Sequence, residues 1–327
     1  MTVFWGGSAA VAETELQSFN LRGAPATAGQ PGQPGLALMV QSAGEVRGTP
    51  VLYIHGATFP AENSIFFRFD GRSWADALNG AGFSVWALDF AGYGRSERYS
   101  EMMHDTPPEG APLGRAPEAA HQIERAVRAI MDNTGAAKVS IIAHSWGTIA
   151  AGKFAGDYPE LVDRLVLFGP VAQRKTLDGV PPLGPWRFIT VEEQKTRFME
   201  DVPEGEAQVL IEDDFPVWAA LYLKADKTSA LRTPASVKTP NGPVADLMSA
   251  WSGNMPYDPA RITATTLIVR GAWDSVCNDG DVAWLKRALQ NSPEVRDVKI
   301  PKATHLMHLE TGRDALYKAA TRFLLKT

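Results

Sequence analysis

The chain has 327 residues, of which 45% are hydrophobic and 21% charged, and its formal net charge is −5. This composition is typical of a globular protein with a sizeable core, and the acidic balance offers no basic surface for nucleic acid. The single cysteine, Cys277, excludes an intramolecular disulfide and a cysteine-based zinc site, and it fits a cytoplasmic protein. No apolar run is long enough to predict a membrane span.

The N-terminal part of the chain predicts little regular structure. Residues 1–16 contain small apolar residues and an A-x-A-like ending, but no Lys or Arg that would complete a signal peptide. We therefore expect a loosely ordered leader, with a truncated export signal as the alternative. Residues 23–35 are rich in Gly and Pro and are expected to link two short strands near 18–22 and 36–41.

From residue 51 onward, short apolar runs alternate with helical patterns. The runs are VLYI, FSVWALDF, KVSIIA, RLVLF and TTLIVRG, and a sixth strand, VRDVKI, follows near the end. Ser73 and Asp76 predict a capping box for a helix that ends at Gly80 or Gly82. Short, almost wholly apolar strands that alternate with helices predict an α/β fold with a mainly parallel sheet covered on both faces.

One long stretch interrupts this alternation. Residues 170–261 are rich in proline and aromatic residues and show no strand pattern. Because βα units precede and follow the stretch, we interpret it as an insertion.

A serine lies between a buried strand and a helix, in the segment AHSWGT (143–148). The spacing small-x-Ser-x-Gly is typical of a nucleophile elbow, a sharp turn that presents the serine at the carboxyl end of a strand. Ala143 stands where Gly is usual, which still leaves little bulk. The alternative is that Ser145 only caps the following helix.

A serine nucleophile needs a base and a carboxylate that orients the base. Asp274 and His305 each follow a predicted strand, so a parallel sheet would bring them to the same edge as Ser145. Two backbone N–H groups must also stabilise the oxyanion. Trp146 supplies one by its position after the serine, and Ala57, in the HGA that follows VLYI, is the candidate for the other.

Five segments in this order, HGATFP, LDFAGYGRS, AHSWGT, GAWDSV and THLMHLE, resemble the α/β-hydrolase fold superfamily. The resemblance covers roughly 51–169 and 266–325. It implies an eight-stranded, mostly parallel sheet flanked by helices, and a catalytic triad of Ser145, His305 and Asp274. It requires neither a metal nor an organic cofactor.

The resemblance also implies a division of the chain. Residues 1–169 and 262–327 would form the hydrolase core, and residues 170–261 a mainly helical cap over the substrate. The sequence leaves the oligomeric state open.

Other histidines compete with His305 for the role of base. His308 lies three residues later, but the family pattern places the base before a glutamate such as Glu310. His144 and His55 are interpreted as structural, the latter as part of the oxyanion loop. The two histidines that match no motif are expected at the surface, His104 and His121.

Several acidic side chains compete with Asp274. Asp279 and Asp281 are expected at the start of a helix, where carboxylates complement the helix dipole. Asp89 is expected to brace the loop AGYGRS. Cys277 is interpreted as a small buried residue rather than a nucleophile.

The predicted function is hydrolysis of a carboxylic ester or lactone of a small to medium hydrophobic substrate through an acyl-enzyme. In the superfamily, dehalogenases and epoxide hydrolases use Asp at the elbow, and Ser145 excludes their alkyl-ester route. A hydrophobic pocket is expected from aromatic residues, with these as candidates: Phe59, Trp186, Phe215, Trp218 and Trp251.

Three other functions stay open. A proline iminopeptidase-like aminopeptidase would need a cap carboxylate for the substrate amine. The others are a hydrolase of carbon–carbon bonds and a non-enzymatic ligand receptor on the same scaffold. The candidate amine-binding carboxylates are Glu192, Glu193, Glu212, Asp213 and Asp214.

Overall fold

The computed structural model describes residues 15–25, 32–42 and 44–325. Of the predicted leader, 1–16, all but the last two residues lie outside these ranges, and so does the middle of the Gly- and Pro-rich segment. In the part of the chain that is described, no helix is long and apolar enough to cross a lipid bilayer.

A twisted sheet forms the centre of the protein. The described residues contain ten strands: β1 (Gln17–Leu21), β2 (Leu36–Gln41), β3 (Val51–Ile54), β4 (Val85–Asp89), β5 (Val139–His144), β6 (Val162–Phe168), β7 (Trp186–Thr190), β8 (Ser236–Pro240), β9 (Thr265–Gly271) and β10 (Val295–Ile300). Eight of them form one sheet in the order β1-β2-β4-β3-β5-β6-β9-β10. All neighbours from β4 to β10 are parallel, while β2 is antiparallel to both β1 and β4. The predicted fold class is confirmed.

Helices cover both faces of this sheet. The described helices are α1 (Trp74–Gly80), α2 (Ala116–Thr134), α3 (Gly147–Asp157), α4 (Val191–Met199), α5 (Phe215–Lys224), α6 (Gly242–Trp251), α7 (Asp279–Ala288) and α8 (Arg313–Leu324). Helices α2, α3 and α7 pack in one core cluster with one face of the sheet, and α1 and α8 pack in a second cluster on the other face. The six inner strands of the sheet are largely buried, which explains their mostly apolar sequences, whereas the edge strands β1 and β10 are partly exposed.

The predicted start of α1 forms as expected. The Ser73 hydroxyl accepts the Asp76 N–H at 3.0 Å, and the Asp76 carboxylate accepts the Ser73 N–H at 2.9 Å. This capping box satisfies two backbone donors that the first helical turn would otherwise leave unpaired.

The expectation that residues 170–261 contain no strand is wrong. β7 and β8 pair antiparallel, with Trp186 opposite Pro240 and Thr190 opposite Ser236. β8 has the sequence SVKTP, whose lysine and proline are atypical of a strand. Its pairing partner lies far away in the chain, so local pattern could not indicate the pair.

The last part of the proposed cap packs against the core. Ala250 of α6 belongs to the core cluster of α2 and α3, and the side chains of Trp251 and Tyr257 pack against that cluster. A Cβ on Gly152 of α3 would lie 2.4 Å from the Tyr257 ring, so the glycine permits this close contact. The boundaries of the cap at 170 and 261 stay a proposal.

Candidate active site

The turn between β5 and α3 presents Ser145 in a strained backbone conformation. Its φ is 56°, in the left-handed region that residues other than glycine seldom adopt. Its N–H donates to the Phe168 carbonyl at 2.9 Å, which ties the turn to the end of β6. A Cβ on Gly147 would lie 2.4 Å from the His55 carbonyl oxygen, so the second small position of the motif must be glycine.

Ser145, His305 and Asp274 meet at the carboxyl edge of the sheet. The Ser145 Oγ lies 2.8 Å from His305 Nε2. On the other side of the ring, His305 Nδ1 lies 3.0 and 3.1 Å from the two Asp274 carboxylate oxygens. The three side chains are buried, and Ser145 is 6% exposed. This is the arrangement of a nucleophile, a base and a carboxylate that orients the base.

The loop after β9 holds Asp274 in place. One carboxylate oxygen accepts the N–H groups of Val276 and Cys277, each at 2.9 Å. A Cβ on Gly169, after β6, would lie 2.9 Å from His305 Nδ1 and 3.0 Å from an Asp274 oxygen. Gly169, with φ 51°, therefore provides the space in which the histidine and the carboxylate meet.

Two backbone N–H groups beside Ser145 have no acceptor among the described residues, those of Ala57 and Trp146. The loop that carries Ala57 lies against the serine, because a Cβ on Gly56 would lie 3.2 Å from the Ser145 Cβ. The Tyr93 hydroxyl donates to the Ala57 carbonyl at 2.8 Å and anchors this loop. Unpaired N–H groups beside a nucleophile can accept a developing negative charge.

His55 and His144 have structural contacts. His55 Nε2 accepts the Phe90 N–H, so Nδ1 carries the proton and donates to the Gly56 carbonyl at 2.7 Å. Burial lowers the pKa of His55 to about 4, so the ring is neutral near pH 7. The His144 ring stacks on Phe168, and its Nε2 lies 3.1 Å from the His305 carbonyl oxygen.

His308 lies in the core rather than against the serine. Its ring packs near Phe59, Phe168 and His144, and neither ring nitrogen has a hydrogen-bond partner among the described residues. Burial, with a smaller electrostatic effect of nearby His305, lowers the pKa of His308 to about 3. His104 and His121 are exposed.

The competing carboxylates have other partners. Asp281 forms the capping box of α7 with Asn278 and an ion pair with Arg174, and Asp279 pairs with Lys299. Asp89 accepts the N–H groups of Ala61 and Arg95, in agreement with a bracing role. Cys277 is buried.

A contact that the sequence did not indicate holds the Trp146 side chain. Its Nε1 donates to Asp246 of α6 at 3.0 Å. The same fully buried carboxylate accepts Arg115 Nε at 2.5 Å and the Ala116 N–H at 2.7 Å. Asp246 therefore connects the start of α2 and the residue after the nucleophile to the end of the inserted segment. No motif could reveal this link, because its partners are far apart in sequence.

Three of the predicted pocket aromatics lie beside the loop of His305. Phe59, Phe215 and Trp218 belong to one buried cluster with Leu306 and Leu309, which follow His305 in sequence. The rings pack on one another, with Phe59 and Trp218 edge to face at 5.3 Å and Phe215 and Trp218 stacked at 5.6 Å. Much of this aromatic surface is thus used in packing.

Trp186 and Trp251, the other two predicted pocket aromatics, have different surroundings. Trp186 is buried, donates to the Glu101 carbonyl at 2.7 Å and lies under the Lys238 ammonium. The Trp251 ring lies against the Arg174 guanidinium at the core cluster. These contacts are those of packing residues.

The candidate amine-binding carboxylates are exposed or have a partner elsewhere. Four of them are exposed: Glu192, Glu193, Glu212 and Asp213. The fifth, Asp214, accepts the backbone N–H of Asp70 at 2.5 Å. Glu193 forms the capping box of α4 with Thr190.

A protein-family model described as the alpha/beta hydrolase fold matches residues 49–311. The chain belongs to the α/β-hydrolase fold family. The match begins before β3 and ends after the His305 loop, so it includes all the segments that meet at the carboxyl edge of the sheet.

Curated relatives within the α/β-hydrolase fold family are distant. Epoxide hydrolase 3 of Mus musculus is 23% identical over 266 residues, which are 77% of this chain and 65% of that protein. A serine hydrolase-like protein of Homo sapiens is 33% identical over 124 residues, which are 38% of this chain and 51% of that protein. The chain thus spans about half to two thirds of the length of these relatives.

Solved structures agree in fold. The peroxisomal α/β-hydrolase of Saccharomyces cerevisiae matches with a TM-score of 0.63 and 14% identity, over 97% of this chain and 91% of its own. A serine hydrolase involved in carbazole degradation matches with a TM-score of 0.59 and 20% identity, over 88% and 95%. At such low identities the likeness shows the α/β-hydrolase fold alone.

Proposed function

We propose that this protein is a serine hydrolase that cleaves a carboxylic ester or lactone of a small to medium hydrophobic substrate. The observation that supports it is the pair of contacts on His305, with Ser145 Oγ at 2.8 Å on one ring nitrogen and Asp274 at 3.0 Å on the other. A base in contact with a buried hydroxyl, and oriented by a carboxylate, is the arrangement that acyl transfer requires.

In the proposed reaction, Ser145 Oγ attacks the substrate carbonyl while His305 Nε2 takes its proton. The Ala57 and Trp146 N–H groups stabilise the oxyanion, and Asp274 stabilises the charged imidazole. His305 then gives the proton to the leaving oxygen, which leaves an acyl group on Ser145. Water, deprotonated by the same histidine, attacks this ester and restores the free serine.

The serine at the elbow also argues against the activity that the name of one relative, an epoxide hydrolase, would suggest. Opening an epoxide through an alkyl-enzyme ester needs a carboxylate nucleophile, and this chain has a hydroxyl at the elbow. The aminopeptidase alternative is weakened by the position of the cap carboxylates, four of which are exposed while the fifth is bound to Asp70.

A panel of substrates tests the proposal. We expect turnover of 4-nitrophenyl acetate, butyrate and benzoate and of a simple lactone, with kcat/KM falling for long acyl chains and little turnover of a proline arylamide. Faster cleavage of the arylamide would favour an aminopeptidase. Saturable binding of these compounds without turnover would favour a receptor, and either result would contradict the proposal.

A further inference from the structure

Two arginines of the inserted segment lack an acidic partner. Arg187 lies on β7 and Arg197 on α4, both are partly buried, and neither forms an ion pair with a carboxylate among the described residues. Two other partly buried arginines of the segment are paired, Arg174 with Asp281 at 2.5 Å and Arg232 with Asp226 at 2.8 Å. Outside the segment, Arg98 and Arg125 form no ion pair among the described residues, but each donates from both terminal nitrogens to backbone carbonyls. The absence of a counter-charge at Arg187 and Arg197 therefore requires an explanation.

Each guanidinium uses only one of its nitrogens in the contacts that the structure describes. Arg187 Nη1 donates to the Asn241 side chain at 2.7 Å. Arg197 Nη1 donates to the Thr58 hydroxyl at 2.5 Å and to the Gln194 side chain at 3.2 Å. The remaining N–H groups, on Nε and Nη2 of both residues, have no acceptor there and are not among the fully enclosed atoms. These donors are available to a bound molecule.

The charge of Arg197 lies next to the candidate oxyanion loop. Thr58, which accepts from Arg197, directly follows Ala57, and this loop lies against Ser145 through Gly56. The charge of Arg197 also contributes to the lowered pKa of His144, after burial and the effects of His308 and His305. The guanidinium is therefore near the His144 ring, which packs against His305. Arg197 thus contacts the loop that carries one of the two candidate oxyanion donors.

Burial disfavours both charges. It lowers the pKa of each arginine, and the charge of Arg187 lowers that of Arg197 further. Carboxylates oppose this shift without forming a hydrogen bond to either guanidinium, namely Glu193 for Arg187, and Glu200 and Asp201 for Arg197. A guanidinium does not lose its proton near neutral pH, so a buried one is stabilised by an anion in contact with it. Its planar set of donors matches the two oxygens of a carboxylate.

We propose that Arg197, assisted by Arg187, binds a carboxylate on the substrate, so that the preferred substrate is an ester or lactone that also carries an acidic group. This inference rests on the proposed hydrolase function and specifies its substrate class. It changes the expected pocket from purely hydrophobic to one in which a hydrophobic body ends in an anion.

Matched esters test the inference without any mutation. One pair places the acid on the acyl side, 4-nitrophenyl hydrogen succinate against its methyl ester, and a second places it on the leaving group, 4-acetoxybenzoate against methyl 4-acetoxybenzoate. We expect the wild-type protein to favour the acidic member of at least one pair by about 10- to 100-fold in kcat/KM, the range of a charge-assisted hydrogen bond. Equal rates, or preference for the neutral member in both pairs, would overturn the inference.

Variants then assign the effect to the arginines. Arg197→Met and Arg187→Met should each reduce the ratio of acidic to neutral kcat/KM by about tenfold or more, and Arg197→Lys should restore part of it. Lys195→Met removes the same charge from the same helix, and its ratio should equal that of the wild type. An unchanged ratio in both arginine variants would contradict the assignment.

A binding measurement separates this inference from the hydrolase proposal. Calorimetry with succinate and with benzoate uses the Ser145→Ala protein, which needs no turnover. If no ester is cleaved but one of these anions binds and Arg197→Met weakens it at least about tenfold, only the hydrolase proposal fails. If esters are cleaved without preference for acids and neither anion binds, only the carboxylate site fails.

Discussion

The carboxyl edge of the sheet and the inserted segment above it differ in what their charged groups contact. At the sheet edge, Asp274 has a complete set of partners within the chain, namely the His305 ring and two backbone N–H groups. In the inserted segment, Arg187 and Arg197 keep donors that have no acceptor in the part of the chain that the structure describes. The proposed catalytic groups are thus oriented by contacts within the chain, whereas we propose that a ligand supplies the missing acceptors of the two arginines.

The two regions also use aromatic residues differently. Near β5, aromatic rings pack around the histidines, as Phe168 does against His144. In the inserted segment the rings of Phe198, Phe215, Trp218 and Tyr222 pack mainly on one another. Most of these aromatics therefore stabilise the segment itself.

The largest effect is expected at the nucleophile. Ser145→Ala should reduce kcat by about a million-fold, because the hydroxyl forms the covalent intermediate. Its thermal unfolding should stay close to that of the wild type, and a fluorophosphonate should label the wild type once, at Ser145. A variant that keeps a tenth of the activity would show that the sheet edge does not perform the chemistry.

The two histidines of the last loop should differ sharply. His305→Ala should reduce kcat on the order of 10⁵-fold, because no base then faces Ser145. His308→Ala should reduce activity per folded molecule by less than about tenfold, since its ring nitrogens have no partner and its ring packs among Phe59, Phe168 and His144. The reverse order would assign the base to His308.

Trp218 tests whether the aromatics pack or line a pocket. Because its ring is fully buried against four others, Trp218→Ala should reduce the free energy of unfolding by about 3–5 kcal/mol while acetate ester turnover per folded molecule changes little. Exposed Val217, on the same helix, provides the control, and Val217→Ala should stay within about 0.5 kcal/mol. A large loss of turnover at unchanged stability would place Trp218 in the substrate pocket.

The smallest effect is expected at Glu310, a carboxyl group in the same loop as His305. Burial raises the pKa of Glu310 from 4.5 to about 7, so the folded protein keeps a proton that the unfolded chain has lost between these values. Its contribution to stability is therefore full below pH 4.5 and is lost as pH rises through 7.

Denaturant unfolding at several pH values measures this contribution. The stability of the wild type relative to Glu310→Gln should fall by up to about 3 kcal/mol between pH 4.5 and 8. The exposed Glu192→Gln protein should follow the wild type across the range. A difference between wild type and Glu310→Gln that does not vary with pH would show that Glu310 does not titrate in this interval.

The sequence by itself determined the features that depend on local pattern. Apolar runs predict the sheet strands because strands buried on both faces need apolar side chains throughout. The spacing around Ser145 predicts the elbow because the turn brings the strand and the helix into close approach, and Gly147 has no room for a side chain. Asp274 and His305 could be chosen because parallel strands place their carboxyl ends at one edge.

Tertiary structure alone decided the contacts between distant segments. The pairing of β7 with β8, the hold of Asp246 on Trp146 and the approach of Arg197 to Thr58 each join residues that no periodicity relates. The same is true of the aromatics, since Trp186 and Trp218 look alike in sequence but only Trp218 packs beside the His305 loop. A local sequence pattern predicts which side chains are buried. Which residues those side chains pack against depends on the three-dimensional structure.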